Sequence, residues 1–314
     1  MLSVIIPHWN GIHHLDDCLT ALRQQTHRDF EVLLVDNGSA DGSQAHVRQH
    51  FPEVRLIELG TNRGFTGACL AGWAHARGDI IILLNNDTAA HPGWLAALAA
   101  TFDQQPQVGI VASRLLLFDR RDTLHAAGDF YRVDGIPGNR GVWEQDTGQY
   151  DDQREVFSAC GAAAAYRRTM LEEIGFLSAD FFFSCEDVDM GWRAQLAGWD
   201  VRYAPEAIVW HKLKATGGNV TASYYDGRNV IWLIVRNYPG SLLRHHWRAI
   251  LRAQREITRQ ALRHWRGAEA RARLRGQLAG VLGIGRMLPA RRRIQALRRA
   301  SDARLLSRLT ESAD

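Results

Sequence analysis

The sequence predicts an α/β fold built on a mostly parallel, Rossmann-like sheet with helices on both faces. Three observations predict it. Short apolar runs rich in β-branched residues alternate with amphipathic stretches through the first hundred positions. These runs lack polar–apolar alternation, as expected of strands buried on both faces. Two of them end in turns bearing acids and amides, where open α/β sheets bind ligands.

Taken in order, Leu2–Pro7, Phe30–Val35, Val54–Leu59 and Ile80–Leu84 read as strands. Ile12–Gln25, Ser43–Phe51 and Phe65–Ala76 read as the helices between them. Pro92 suits the first turn of a further helix running to about Gln104. From Leu115 to Asp152 the pattern breaks. Gly128, Gly135, Pro137, Gly138, Gly141 and Gly148 predict hairpins or a long loop over a site. Phe157–Tyr166 reads as another buried strand, Arg168–Ile174 as a short helix, and Val188–Leu196 as a helix stopped by Gly198. Val201–Tyr203 and Ala207–Trp210 are strand-like around Pro205. The chain divides into a nucleotide-binding type of half (1–115), a second half of the same domain (116–240) and an arginine-rich helical tail (241–314).

A composition of 46% hydrophobic and 23% charged residues is that of a globular protein and excludes collagen, coiled coil and wholesale disorder. The longest aliphatic run, Ile80–Leu84, is too short to cross a bilayer. The opening Met1–Pro7 reads as a first strand rather than a signal peptide, so a cytoplasmic location is expected. Cys18, Cys69, Cys160 and Cys185 show no metal-cluster spacing and read as free core thiols. The net charge of +4 conceals an asymmetry. Residues 241–314 hold 18 arginines and no lysine against five acids, a net of +13, which leaves −9 on 1–240.

Four groups of residues carry chemistry. The second strand ends at Asp36, followed by Asn37-Gly38-Ser39-Ala40-Asp41-Gly42-Ser43, an acid where a ribose or base binds. A plain turn with Asp41 or Ser43 capping the next helix is the structural alternative. The first strand is followed by Pro7-His8-Trp9-Asn10-Gly11, not by G-x-G-x-x-G, so a dinucleotide oxidoreductase is disfavoured. The fourth strand ends in Asn85-Asn86-Asp87, and a carboxylate there can hold a divalent cation, Mn or Mg, bridging two phosphates. Glu186, Asp187 and Asp189 crowd one helix start. The helix dipole accounts for part of that, but three like charges exceed what a cap requires, and in such a cluster one carboxyl can be kept as a general base while others hold a sugar or position the loop. At 100° per residue Glu186 and Asp189 share a face that Asp187 leaves. His211 offers an imidazole that would complete the thin site at Asp87 and favour manganese over calcium. A purely structural histidine is the alternative.

Val4-Ile5-Ile6-Pro7…Asn10, Val35-Asp36-Asn37-Gly38-Ser39-Ala40-Asp41-Gly42-Ser43, Asn62-Arg63-Gly64-Phe65, Asn85-Asn86-Asp87 and Glu186-Asp187-Val188-Asp189 occur in that order. Together they resemble family 2 glycosyltransferases of the GT-A fold, in the rhamnosyltransferase-like branch, over roughly residues 2–240. The resemblance implies an inverting transfer of a sugar from a nucleotide-diphosphate donor to a hydroxyl of a glycan or lipid-linked glycan. It makes 1–115 the donor half and 116–240 the acceptor half. Asp36 would contact the nucleoside, with Pro7 and Asn10 in the same pocket and Asn62, Gly64, Asn85 and Asn86 around the donor. Asp87 matches the last acid of the D-x-D metal motif, and His211 matches the late metal-binding histidine. Asp187 matches the general base, with Glu186 and Asp189 toward the acceptor sugar. Trp192 and Arg193 match residues beside the sugar and diphosphate. The branch implies dTDP-rhamnose, with UDP-linked hexoses remaining open. Two positions depart from the pattern: Asn85 replaces the first D-x-D acid, and Leu70 stands where the branch often carries Asn.

Rival functions are a sugar nucleotidyltransferase, disfavoured by the absence of a glycine- and basic-rich loop after the first strand, and a non-catalytic nucleotide-sugar binder or scaffold subunit. In the tail, Leu243, Trp247, Ile250, Leu251, Ile257, Leu262 and Trp265 recur at helical spacing among arginines. That pattern fits a helical pair packed on the catalytic body or a peripheral helix on an anionic membrane, and the membrane is the favoured reading. Nucleic acid is not expected, because no recognition motif accompanies the charge.

Overall fold

One nine-stranded sheet organises the protein in the computed structural model, which describes residues 1–213 and 219–312. The first part follows the predicted alternation: β1 (Leu2–His8), α1 (Ile12–Arg23), β2 (Phe30–Asp36), α2 (Ser43–His50), β3 (Arg55–Glu58), α3 (Gly64–Trp73) and β4 (Ile80–Leu84). Next come β5 (Thr88–Ala90), α4 (Trp94–Gln104), β6 (Val108–Leu117), β7 (Leu124–Ala127), β8 (Asp129–Tyr131) and β9 (Pro137–Asn139). The body continues with β10 (Ala163–Arg167), α5 (Arg168–Ile174), α6 (Glu186–Ala197) and β11 (Asp200–His211). Helices α7 (Asn219–Asn237), α8 (Gly240–Arg263), α9 (Ala268–Leu282), α10 (Ile284–Ala296) and α11 (Asp302–Leu306) follow.

The strand order is β3-β2-β1-β4-β10-β6-β11-β5, with β7 beside β6. β1 to β4 pair in parallel, and β10 runs antiparallel to both of its neighbours. Side chains that alternate along the strands feed two cores. Val4, Ile6, Leu34 and Ile82 point to one face, while Ile5, Leu33, Ile81 and Leu83 point to the other. Burial of each such side chain stabilises the fold by roughly 1.5–3 kcal/mol, which explains why apolar residues dominate these runs.

The structure departs from expectation at four places. β3 is half exposed, because it is the sheet edge. The predicted strand Phe157–Tyr166 is a strand only from Ala163; the segment before it is irregular and turns its backbone toward the site. α4 starts at Trp94, leaving Pro92 ahead of the helix, where its carbonyl accepts the Thr26 N–H. β11 runs unbroken past Pro205, with a register shift between Ala204 and Ile208 that absorbs the residue unable to donate to the ladder.

The boundary at 240 is also displaced. α7 packs along α9 and against α10, so the helical layer begins at 219. A Cβ at Gly276 would stand 2.0 Å from the Tyr224 carbonyl oxygen, so the α7–α9 approach requires glycine. A third apolar cluster joins the tail to the body, combining Tyr131, Phe157 and Trp192 with Tyr238, Met287, Ile294 and Leu305. The tail is therefore built onto the α/β body rather than appended to it. Residues 313–314 of the tail as delimited from sequence lie outside the described residues.

Candidate active site

Parallel pairing brings the ends of β1, β2 and β4 side by side, and a cleft of about 810 Å³ opens there. Pro7, Asn37, Asn62, Gly64, Asn85 and Asn86 line one region of it. His8 is buried beneath them. Its Nδ1 lies 2.8 Å from Asn86 Nδ2 and its Nε2 lies 2.7 Å from Ser43 Oγ. The amide can only donate, so Nδ1 is the acceptor and Nε2–H donates to Ser43. Burial holds the His8 pKa below its ordinary value, which keeps this ring neutral. Asn37 ties the second strand to the next loop: its Nδ2 donates to Asn62 Oδ1 and to the Gly64 carbonyl, each at 3.0 Å. Gly64 has φ +75°, and a Cβ there would fall 2.5 Å from the Phe182 carbonyl oxygen. Glycine thus lets the loop at 62–64 close against the loop at 182 across the cleft wall.

Carboxylates gather where α6 begins. Ser184 and Cys185 both adopt left-handed φ of 68°, a costly conformation for non-glycine residues that aims the first helical turn at the cleft. Asp187 Oδ2 accepts the Gly161 N–H at 2.9 Å and Oδ1 accepts the Val188 N–H at 2.8 Å. Glu186 is buried, and its Oε2 has no partner. Asp129 also lines this wall, accepting from Ser158 Oγ and Asn139 Nδ2 at 3.1 Å each. Sequence reasoning missed Asp129. Its only signal was an acid inside the glycine-punctuated stretch, and its partner Asn139 reaches it across the β8–β9 register.

Burial pushes the Glu186 and Asp129 pKa values well above the carboxylate range, and the charge of Asp187 adds to that. Burial raises Asp187 as well, but the Gly161 and Val188 N–H groups oppose it. Asp187 is thus the member best kept ionised, with two neighbours held as neutral acids.

The third feature is a carboxylate–imidazole pair. β5 pairs antiparallel with β11, and the Thr88↔His211 register sets Asp87 beside His211. His211 Nε2 lies 3.1 Å from Asp87 Oδ1. Burial would raise the Asp87 pKa, but the hydrogen bond and charge of His211 hold it below its ordinary value. On its other side, His211 Nδ1 lies 3.2 Å from Nδ1 of His125, a second residue the sequence did not reveal. Burial drives the His125 pKa down to about 3, so it is neutral. Among the described residues no set of three or more His, Cys, Asp or Glu is arranged to hold a metal. The Asp87–His211 pair nevertheless fits one: adjacent ligands each about 2.1 Å from an octahedral ion stand about 3 Å apart. The donor set, one carboxylate and one imidazole, suits manganese or magnesium and leaves positions open for phosphate oxygens.

Several predicted site residues lie elsewhere. Asp189 is fully buried, bridging Arg193 Nε at 2.9 Å and Arg236 Nε at 3.0 Å. It shares a helix face with Glu186, but α7 covers that face one turn into α6. Arg193 donates to Asp189 and to the carbonyls of Ile174, Gly175 and Phe176, so no N–H is directed into the cleft. Trp192 is enclosed by Tyr131 and Phe157, with ring centroids 5.0 Å away in each case. Asp36 is buried under its own loop, accepting from Gln44 Nε2 at 2.9 Å and from Ser39 N at 3.2 Å. Asn10 is exposed and braces that loop through the Ala40 N–H, so Asn37 rather than Asn10 or Asp36 lines the cleft. Leu70 packs on the core of α3 outside the cleft, so the branch's Asn has no polar contact to supply here. All four cysteines are free; burial pushes the Cys18 thiol up to about 12, and no thiolate is on offer.

The glycosyl transferase family 2 model matches residues 3–175. This chain belongs to glycosyltransferase family 2. The family 2 glycosyltransferase is similar to the N-acetylglucosaminyl-diphospho-decaprenol L-rhamnosyltransferase of Mycobacterium tuberculosis, with 30% identity over 241 residues, 69% of this chain and 78% of that one. The O-antigen biosynthesis protein RfbC of Myxococcus xanthus is 28% identical over 63% of this chain, which spans 16% of that protein. Among solved structures, the mannosyltransferase PcManGT of Pyrobaculum calidifontis, in complex with GDP-Man and Mn2+, shares the fold at a TM-score of 0.58 and 18% identity over 94% of this chain and 84% of that one. GalNAc-T7 with UDP, GalNAc and Mn2+ matches at a TM-score of 0.61 and 16% identity over 75% and 48%. The fold of this glycosyltransferase is GT-A, as the motif order implied.

Proposed function

We propose that this family 2 glycosyltransferase is inverting and transfers rhamnose from a nucleotide diphosphate to a hydroxyl of a lipid-linked or cell-surface glycan precursor. The observation that carries the reading is a single cleft lined by both Asp187 and His211, with His211 paired to Asp87. Support for the sugar and the acceptor comes from the mycobacterial relative, whose name specifies an L-rhamnosyl group and a diphospho-decaprenol carrier.

In this reading Pro7, Asn37, Asn62, Gly64, Asn85 and Asn86 hold the donor. Asp87 and His211 hold a divalent cation, which when bound offsets the charge of the diphosphate as it departs. Asp187 accepts the proton of the acceptor hydroxyl while that oxygen bonds to the anomeric carbon and the nucleoside diphosphate leaves from the opposite face. One base and no nucleophilic carboxylate suffice for inversion. The Oε2 of Glu186, buried without a protein partner at the cleft wall, is the further polar group this reading assigns to the acceptor side. With a lipid-linked acceptor the reaction runs at a membrane face, and 241–314 is the segment we propose to meet it. Among the described residues no helix is long and apolar enough to cross a membrane.

Calorimetry with dTDP, UDP and GDP, with and without Mn2+, on wild type and Asp87→Ala tests the donor site. Metal-dependent binding of one nucleotide, lost in the variant, is expected. Binding of none would overturn the reading. The anomeric configuration of the product, read by NMR, tests inversion.

A further inference from the structure

The tail arginines fall into two sets. Of the eleven on and after α9, five pair with acids that precede the tail: Arg273 with Asp226, Arg286 with Asp180, Arg299 with Glu173, Arg304 with Asp200 and Arg308 with Glu155. The acidic body and basic tail are to that extent a single neutralised unit. α8 is different. Its six arginines, 244, 248, 252, 255, 259 and 263, are all exposed, and among the described residues only Arg259 has an ion pair, to Glu256 of the same helix.

Their spacing of 4-4-3-4-4 confines them to an arc of about 100° along some 28 Å of helix. Beside that arc runs an uncovered apolar edge. Trp247 is 49% exposed, Leu251 38% and Leu262 55%, each immediately preceding an arginine, and Trp265 just past the helix is 57% exposed. Away from the arginine arc Leu242, Ile250 and Ala261 are buried, and Thr258, one heptad after Leu251 on the same stripe, bonds Gln277 of α9 through Oγ1 at 3.2 Å. Part of the apolar surface of α8 thus holds the helix to the protein, and part is exposed beside a row of arginines, five of which have no ion pair among the described residues.

We propose that α8 is an interfacial helix that seats the enzyme on an anionic bilayer surface, with Trp247, Leu251, Leu262 and Trp265 in the headgroup region and the arginine row on lipid phosphates. Exposed tryptophan and leucine bordering arginines are what such an interface selects, and the charge complements anionic lipid. A soluble helix with this much unpaired positive charge gains nothing from leaving two tryptophans in water. Ile257, on the protein-facing side of the same helix, lines the active-site cleft. α8 is therefore part of the cleft wall with its cationic face turned outward, so the bound surface lies about one helix diameter from the site, where a lipid-linked acceptor presents its sugar. That last placement rests on the acceptor proposed above; the α8 surface itself involves no donor-binding residue.

The test is co-sedimentation of the full chain with phosphatidylcholine vesicles, with and without about one-third phosphatidylglycerol. Wild type is expected to pellet with the anionic vesicles and be released by high salt. The triple variant Arg248→Glu/Arg252→Glu/Arg255→Glu should weaken binding at least ~10-fold, and Trp247→Ser/Leu251→Ser should weaken it at every salt concentration at which wild type still binds. Nucleotide binding is measured on the same preparations. If it persists while vesicle binding is lost, the surface is confirmed independently of the donor site; if it is absent throughout, the donor reading fails and vesicle binding still judges α8. No pelleting of wild type, pelleting indifferent to both variants, or a dimer that both variants dissociate would overturn the proposal, the last by assigning the face to a second copy.

Discussion

Asp87 Oδ1 and His211 Nε2 stand 3.1 Å apart although 124 residues separate them in the chain. Their meeting is a consequence of sheet order: β11 crosses to the far edge and lays its last residue against β5, whose first residue follows Asp87. A buried carboxylate and a buried imidazole set this close make a two-ligand half-site. Removal of either should abolish the cation's contribution to nucleotide binding, and removal of both should cost no more than removal of one. Calorimetric titration of Asp87→Asn, His211→Ala and the double variant with Mn2+ and nucleotide checks this; additive losses would mean that the two act separately.

The same pair assigns work to His125. For His211 Nε2 to offer a lone pair, the proton must sit on Nδ1 and be donated to the neutral His125 Nδ1 3.2 Å away. His125→Phe keeps the ring volume and removes the acceptor. It should weaken Mn2+-dependent nucleotide binding by about 10–100-fold while the melting temperature stays near that of wild type. Unchanged affinity would reduce His125 to packing.

Asp187 is held by two backbone N–H groups and is half-buried, with desolvation raising its pKa above the ordinary aspartate value. A base of this kind is deprotonated only as pH rises through its elevated pKa. The acidic limb of kcat/KM should therefore lie above the usual aspartate range and disappear in Asp187→Asn. That variant is expected to lose about 10²–10⁴-fold in kcat with nucleotide affinity retained. Steady-state kinetics against pH, with calorimetry as the binding control, decides it; full activity in the variant would remove Asp187 from the mechanism.

Much of this was legible in the sequence, and the reasons differ by residue. β1, β2 and β4 and the turns after them are local features, written in apolar runs and in Asn85-Asn86-Asp87, so their existence and order could be read directly. The N-terminal turn of α6 announced itself through three acids in four positions. The wheel of that helix gave directions about its own axis but not what would cover each face. Asp189 was assigned to the site because nothing local marks Arg236, 47 residues later, as its partner. Trp192 was misread for the same reason: its enclosure by Tyr131, Phe157 and Tyr238 is entirely long-range. Asp129 and His125 were missed because each gains its meaning from a partner brought in by strand pairing.

Glu186 carries a stability prediction with a definite sign. Its folded pKa is raised well above the ordinary glutamate value, by burial first and by Asp187 second. A group raised in the folded state contributes stability that is present below its unfolded pKa and lost as pH rises through the folded one. Wild type should therefore lose stability with rising pH from about 4.5 upward, relative to Glu186→Gln. The variant is expected to melt at least about 2 °C higher at pH 7, with the gap closing toward pH 4. Thermal melts across that range check the sign; a gap that widens toward acid would contradict the burial of a neutral acid.

Asp189 allows the structural and catalytic readings of the acid cluster to be separated. It is fully buried against Arg193 and Arg236, which are themselves almost fully buried, and Asn237 Nδ2 adds a third contact at 2.8 Å. The charges of Arg236 and Arg193 overcome the desolvation of Asp189 and hold its pKa below the ordinary value. Asp189→Asn leaves two guanidinium groups without their counter-ion, and breaking a buried pair in this way costs about 3–5 kcal/mol. The expected result is a large fall in melting temperature with nucleotide affinity intact in the protein that remains folded. Because Arg193 also holds the carbonyls of residues 174–176 and Arg236 belongs to α7, the loss should loosen the junction between α6 and the helical layer. Hydrogen exchange in α7 should therefore rise in the variant more than exchange in β1 or β4. Conversely, a variant that keeps wild-type stability but loses turnover would return Asp189 to the acceptor site and refute its role as the counter-ion that joins α6 to α7.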